Sequence, residues 1–158
     1  MPLLHLTSFI AAPVEVVFDL SRHVDLHKRS MSKYKEEAVA GIRFGMFEKD
    51  DTVTWKARHF FKKRFLRVKI TDMQRPDHFT NEQVQGDFRT MKHEHHFKAC
   101  ENGTIVIDVF YFEIPYGWMG RLFSRFYLTT YIKKLLEQRN KFIKEFAESE
   151  KWKMLLIK

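Results

Sequence analysis

Cysteine is nearly absent: Cys100 stands alone in 158 residues. A single thiol excludes an internal disulfide and any all-cysteine metal cluster. An apolar run of about 18 residues, the length a membrane-crossing helix needs, is also missing. No charged-then-apolar segment opens at Met1, so the expectation is a soluble, cytoplasmic protein. Glycine is scarce, with six, and none stands in a phosphate-cradling loop. No serine occupies a Gly-x-Ser-x-Gly elbow, which leaves Ser/His/Asp catalysis without support.

Hydrophobic residues make up 44 % of the chain and phenylalanine alone counts 16. Such a chain is neither disordered nor collagen-like. Its length suits one domain, residues 1–158, with a core of its own. The net charge of +8 could steer it toward nucleic acid or an anionic membrane. The basic residues are spread along the chain and accompany no nucleic-acid motif, so nucleic acid is not an expected partner.

The longest ordered pattern is near the end, from Trp118 to about Glu148. Met119, Leu122, Phe123, Phe126, Tyr127, Tyr131, Ile132, Leu135, Leu136, Phe142, Ile143 and Phe146 recur there at three- and four-residue steps. Charged residues fill the gaps, which predicts an amphipathic helix about 45 Å long. A stripe of that length needs a covering surface, and the chain before Pro115 supplies strands.

Leu3 to Ile10 reads as a first strand. Ala12-Pro13 then opens a short helix buried through Val14, Val17, Phe18 and Leu20. A second short helix runs from Val24 to about Ser30, and Tyr34 to Ala40 reads as a strand ended by Gly41. Asp51 to Phe60 and Arg64 to Met73 alternate with period two, the mark of half-buried strands. A turn at Lys62-Lys63 would pair Trp55 with Ile70 and His59 with Leu66. Gln74-Arg75-Pro76-Asp77 signals a turn, Phe79 to Gln85 a strand, and Gly86-Asp87 a break.

Phe88 to Cys100 follows, and Asn102-Gly103 is the strongest hairpin signal in the sequence. With those two residues in the loop, Phe97 pairs with Asp108, His95 with Phe110 and His93 with Phe112. One face then carries Met91, His93, His95, Phe97 and Ala99 beside Val106, Asp108, Phe110 and Phe112. It reads as interior, because the opposite face is half charged. The row Ile105, Ile107, Val109 on that outer face is left for a neighbouring subunit to cover, which makes a homodimer one reading. Together these elements predict an α+β fold: a coiled antiparallel sheet of six or seven strands, two short helices after the first strand, and a long terminal helix.

Several blocks in this order resemble the START-like (SRPBCC) ligand-binding superfamily. They are Ile10 to Phe18, Val53 to Phe60, Arg75-Pro76 with Phe79 and Glu82-Gln83, and Gly86 with Phe88. His93-Glu94-His95 with Phe97, Gly103-Thr104 with Asp108, Tyr127-Leu128 and Arg139-Asn140 complete the set. The nearest branch is that of bacterial proteins labelled polyketide-cyclase-like or cell-division-inhibitor-like. The resemblance implies a helix-grip fold, in which the sheet grips the terminal helix around an elongated cavity. Relatives bind lipids, sterols, quinones, plant hormones or aromatic polyketides, and some branches catalyse cyclisation or dehydration. Two positions depart from the pattern: Asn81 stands where an aspartate is expected, and Phe61 where a glycine is.

In such a cavity the expected polar residues are His59, Asn81, Gln83, His93, His95 and Asp108. Trp55, Met91, Phe97, Phe110, Phe112, Phe123, Phe126, Tyr127 and Tyr131 are the expected apolar lining. His5, His23, His27, His78 and His96 read as surface or edge residues. The expected function is binding of a hydrophobic or aromatic small molecule, with no cofactor. The alternative is a cyclase or dehydratase in which Asp108 orients His95 as a general base. His93-x-His95 with Asp108 or His59 could hold a metal, yet the spacing fits no common zinc motif and none is expected. The tail from Lys151 to Lys158 could touch a membrane surface, though such a segment more often packs on its own protein.

Overall fold

The computed structural model describes residues 3–60, 62–115, 117, 122 and 124–156. Trp118, Met119, Arg121 and Phe123 of the expected helix, Phe61 of the expected turn, and Ile157 and Lys158 of the tail lie outside the described residues. β1 (Leu3–Ile10) is followed by helices α1 (Val14–Ser21) and α2 (Val24–Ser30). Then come β2 (Glu37–Gly41), β3 (Thr52–His59), β4 (Lys62–Gln74), β5 (His78–Gln85), β6 (Thr90–Cys100) and β7 (Gly103–Glu113). A π-helical turn (Ser124–Leu128) leads into α3 (Thr129–Ala147), and α4 (Lys151–Leu156) follows.

The strands form one curved antiparallel sheet in the order β1-β7-β6-β5-β4-β3-β2. Its concave face holds α3, whose buried residues are Ile132, Leu136, Arg139, Asn140, Ile143 and Ala147. Steps of three and four keep them on one helix face. α1 caps one end of the sheet through Phe18, whose ring meets Phe79 and Phe97 edge-on at 5.5 and 5.2 Å. The tail helix α4 rests on this core through Trp152, Leu155 and Leu156.

Three local expectations differ from the structure. The strand expected from Tyr34 starts at Glu37, because Lys35 takes a left-handed conformation (φ 53°) after a 3-10 turn over Ser32–Tyr34. The β3–β4 hairpin closes at His59↔Lys62, so Trp55 faces Leu66, not Ile70. Phe60, at φ 52°, supplies the reversal expected at the lysine pair. The β6–β7 hairpin closes at Cys100↔Gly103, which puts Glu101 and Asn102 in the loop and Asn102 at φ 67°. His95 therefore lies directly opposite Asp108 and His93 opposite Phe110. Both shifts are even, so every residue keeps its face.

Gly103 is then required by packing rather than by the turn. A Cβ there would sit 2.4 Å from the Ile10 carbonyl oxygen and 2.7 Å from the Phe9 ring. The neighbouring Thr104 hydroxyl donates to the Ala12 carbonyl at 2.8 Å and seals the same junction. Gly103→Ala should cost about 2–3 kcal/mol, because backbone on the other side cannot rotate away. Chemical denaturation of the variant checks this, and an unchanged midpoint would show that β1 yields freely.

On the outer face, Ile105, Ile107 and Val109 are half-buried. Their register partners are Phe9, Thr7 and His5 on β1 and Lys98, His96 and Glu94 on β6. Long polar side chains on the neighbouring strand can cover such a row with their stems.

Candidate functional site

Between the sheet and α3 lies a cavity of about 650 Å³. Trp55, Ala57 and His59 reach it from β3, Met91, His93 and His95 from β6, and Phe110 from β7. Each set is spaced by two because alternate strand residues share a face. α3 contributes Tyr131, Ile132, Leu135, Leu136 and Arg139.

The polar end is built around Asp108, which is 1 % exposed. His93 donates from Nε2 to its Oδ1 at 2.9 Å, and Asn140 donates from Nδ2 to its Oδ2 at 2.6 Å. His95 Nδ1 lies 3.1 Å from the same Oδ1 but is not aligned with it as a hydrogen bond. On its other side, His95 Nε2 is 3.3 Å from the Asn81 amide nitrogen. Arg139 donates to the Asn140 side-chain oxygen at 3.2 Å and to the Ser21 carbonyl at 2.8 Å. A continuous chain thus runs from α1 through α3 to the sheet.

The charge states follow from these contacts. Burial alone would raise the Asp108 carboxyl, but the His93 hydrogen bond and the close His95 ring outweigh it and hold the group well below its usual range. Burial pushes the His93 imidazole down. The same effect, with the adjoining His93 ring, takes His95 well below its ordinary value. Burial also lowers Arg139, yet a guanidinium keeps its proton at neutral pH. The resting set is one carboxylate, one guanidinium and two neutral imidazoles.

A second polar group lines another part of the cavity wall. His27 Nε2 donates to Glu36 Oε1, with the His27 ring 4.5 Å from that of Trp55. His59 Nδ1 and the Tyr131 hydroxyl share a 2.6 Å hydrogen bond. The Tyr34 ring stacks on His59 at 4.9 Å.

Of the residues expected at the site, Trp55, His59, Asn81, Met91, His93, His95, Phe110 and Tyr131 line the cavity. Asp108 stands behind the two histidines and orders them. Phe97 and Phe112 are buried in solid core, Phe97 under α1. Gln83 clasps the β5–β6 turn through the Phe88 backbone and stays outside the cavity. Phe126 and Tyr127 are 62 and 70 % exposed on the π-helical turn and do not line it. Two histidines expected at the surface belong inside: His23 is 5 % exposed and His27 lines the cavity. Arg139, Asn140 and Glu36 fall outside the expected polar set. The first two carry a signal, since they interrupt the apolar stripe of α3 at buried spacing.

These groups make stability pH-dependent. Burial lowers the imidazoles of His23, His59, His93 and His95 from 6.5. The unfolded chain therefore binds more protons below pH 6.5, and stability falls on acidification. The slope is up to about 1.4 kcal/mol per pH unit for each histidine. Asp108 adds a further loss as pH drops from 3.8 through its lower folded value. Denaturation midpoints should decline below pH 6.5, whereas a flat profile would mean these rings are solvated when folded.

A curved sheet closed on a long terminal helix, with a mostly apolar hollow between them, defines a helix-grip protein of the START-like class. The chain belongs to the family described as polyketide cyclase / dehydrase and lipid transport, whose model matches residues 10–138. No curated protein matches it. Solved structures share the fold at low identity. A protein from Thermus thermophilus superposes with a TM-score of 0.74 at 20 % identity, covering 92 % of this chain and 97 % of that one. A START superfamily protein from Mycobacterium smegmatis gives 0.70 at 12 %, with the same coverage of 92 and 97 %. Major latex-like protein 151 from Panax ginseng gives 0.68 at 15 %, again over 92 and 97 %. Among the described residues no helix is long and apolar enough to cross a membrane.

Proposed function

We propose that the protein binds a hydrophobic or aromatic small molecule between its sheet and α3, for transport or sequestration. The observation that carries this is the cavity itself. Its volume of about 650 Å³ falls in the range that encloses a drug-sized molecule, about 300–1,000 Å³. The wall is mostly apolar, and the polar groups set into it can fix orientation more than they add affinity. The family description, which includes lipid transport, agrees with such a role.

A second reading uses the same residues as a cyclase or dehydratase, with His95 as base and Asp108 as its orienter. It is favoured by the direct opposition of the two on β6 and β7. Burial argues against it, because an imidazole held well below 6.5 is a weak proton acceptor near neutrality.

The test is saturable binding of the neutral fluorophore N-phenyl-1-naphthylamine to the full chain, with mass spectrometry of any molecule that copurifies. One fluorophore per chain, displaced by the copurifying compound, is expected. Absence of saturable binding would overturn the binding reading.

A further inference from the structure

We propose that His93, His95 and Asp108 form a site for one divalent first-row transition-metal ion at the polar end of the cavity. The sequence spacing matches no common zinc motif, but the observed strand register brings the three together. His95 faces Asp108 across the β6–β7 ladder, and His93 lies two residues along on the same face. All three are buried, and their ligand atoms lie within 4.8 Å of one another.

Two of the three ligand–ligand edges already suit an ion. His93 Nε2 and His95 Nδ1 stand 2.9 and 3.1 Å from one oxygen, Asp108 Oδ1. Ligand atoms at right angles about an ion roughly 2.1 Å away are about 3.0 Å apart. A modest opening of that cluster seats the ion.

An independent observation points the same way. His95 Nδ1 is fully buried and has no hydrogen-bond partner. An orphaned buried nitrogen costs about 1–3 kcal/mol, and coordination would satisfy it. The surroundings are arranged as supports for ligands. Asn140 holds Asp108 Oδ2, so the oxygen turned to the ion is Oδ1, which accepts from His93 in the metal-free protein. The Asn81 amide beside His95 Nε2 can present its oxygen instead of its nitrogen. It then accepts the Nε2 proton and frees the Nδ1 lone pair.

Two imidazoles with one carboxylate suit zinc, iron(II) or cobalt(II) rather than calcium or magnesium. His93 and His95 also line the cavity, so the ion would sit at the cavity wall. The Arg139 cation, one residue removed through Asn140, opposes the ion and keeps the site from being a tight structural one. The site stands apart from the binding reading, since a metal-free cavity still takes an apolar guest.

The experiment is titration of the untagged, metal-free full chain with cobalt(II), followed by its visible d–d absorption, and with zinc by calorimetry. One ion per chain is expected. His95→Gln and His93→Gln should each weaken binding at least about tenfold. The double variant His78→Ala/His96→Ala, whose half-buried outer-face rings lie 5.9 Å apart, should leave it unchanged. X-ray absorption of the zinc-loaded natural chain should show two imidazoles, a readout that does not depend on variants folding. No binding, binding lost only in the surface double variant, or a zinc shell without two imidazoles would each overturn the site. Fluorophore binding by the metal-free protein is scored separately, so failure of one proposal is told apart from failure of the other.

Discussion

Ala57→Trp should abolish binding of N-phenyl-1-naphthylamine, raising Kd at least about 100-fold, or about 2.8 kcal/mol. Ala57 is 7 % exposed and points from β3 into the cavity. An indole there takes space that is empty, not space occupied by neighbouring atoms. Overpacking costs arise when added atoms force others off their rotamers, so the fold should survive. The measurement is a fluorescence titration beside a thermal melt. Full binding by a folded variant would place the guest elsewhere and discard the hollow as its site.

Asp108→Ala should destabilise the protein by about 3–5 kcal/mol, the range for breaking a buried charged network by removing one partner. The loss strands His93 and Asn140, both of which donate to this carboxylate. It also leaves the buried Arg139 cation without the anion that helps hold its charge. At about 2–4 °C per kcal/mol for a chain of this size, the melting temperature should fall by roughly 10 °C. Asp108→Asn keeps the volume and one acceptor oxygen, and should cost less. A melt within about 2 °C of the natural protein for Asp108→Ala would mean the network contributes little to folding.

Much of the architecture was legible because its signals are periodic. Alternation in β3, β4, β6 and β7 and the stripe in α3 each repeat often enough to be read without tertiary knowledge. Registers were less legible. Asn102-Gly103 looks like a turn pair, but Gly103 is demanded by its approach to Ile10, a contact 93 residues away in sequence (103 − 10) that no local rule reports. The even error left His93, His95 and Asp108 facing inward, as alternation alone requires. Phe126 and Tyr127 were misplaced because the π-helical turn carries an extra residue per turn and rotates the stripe out of phase. Glu36 and His27 were missed for a different reason. Glu36 lies just before β2, where no period marks it, and its burial depends on α2 and the cavity wall meeting there.

The bridge from Arg139 through Asn140 to Asp108 bolts the rear of α3 to the sheet with bonds shielded from water. At the front, Tyr131 hydrogen-bonds His59 and packs on the rings of Tyr34 and Phe60, in a half-exposed setting. Separating the helix from the sheet at Arg139 would therefore break shielded polar bonds, whereas at Tyr131 it would break one hydrogen bond in a half-exposed setting.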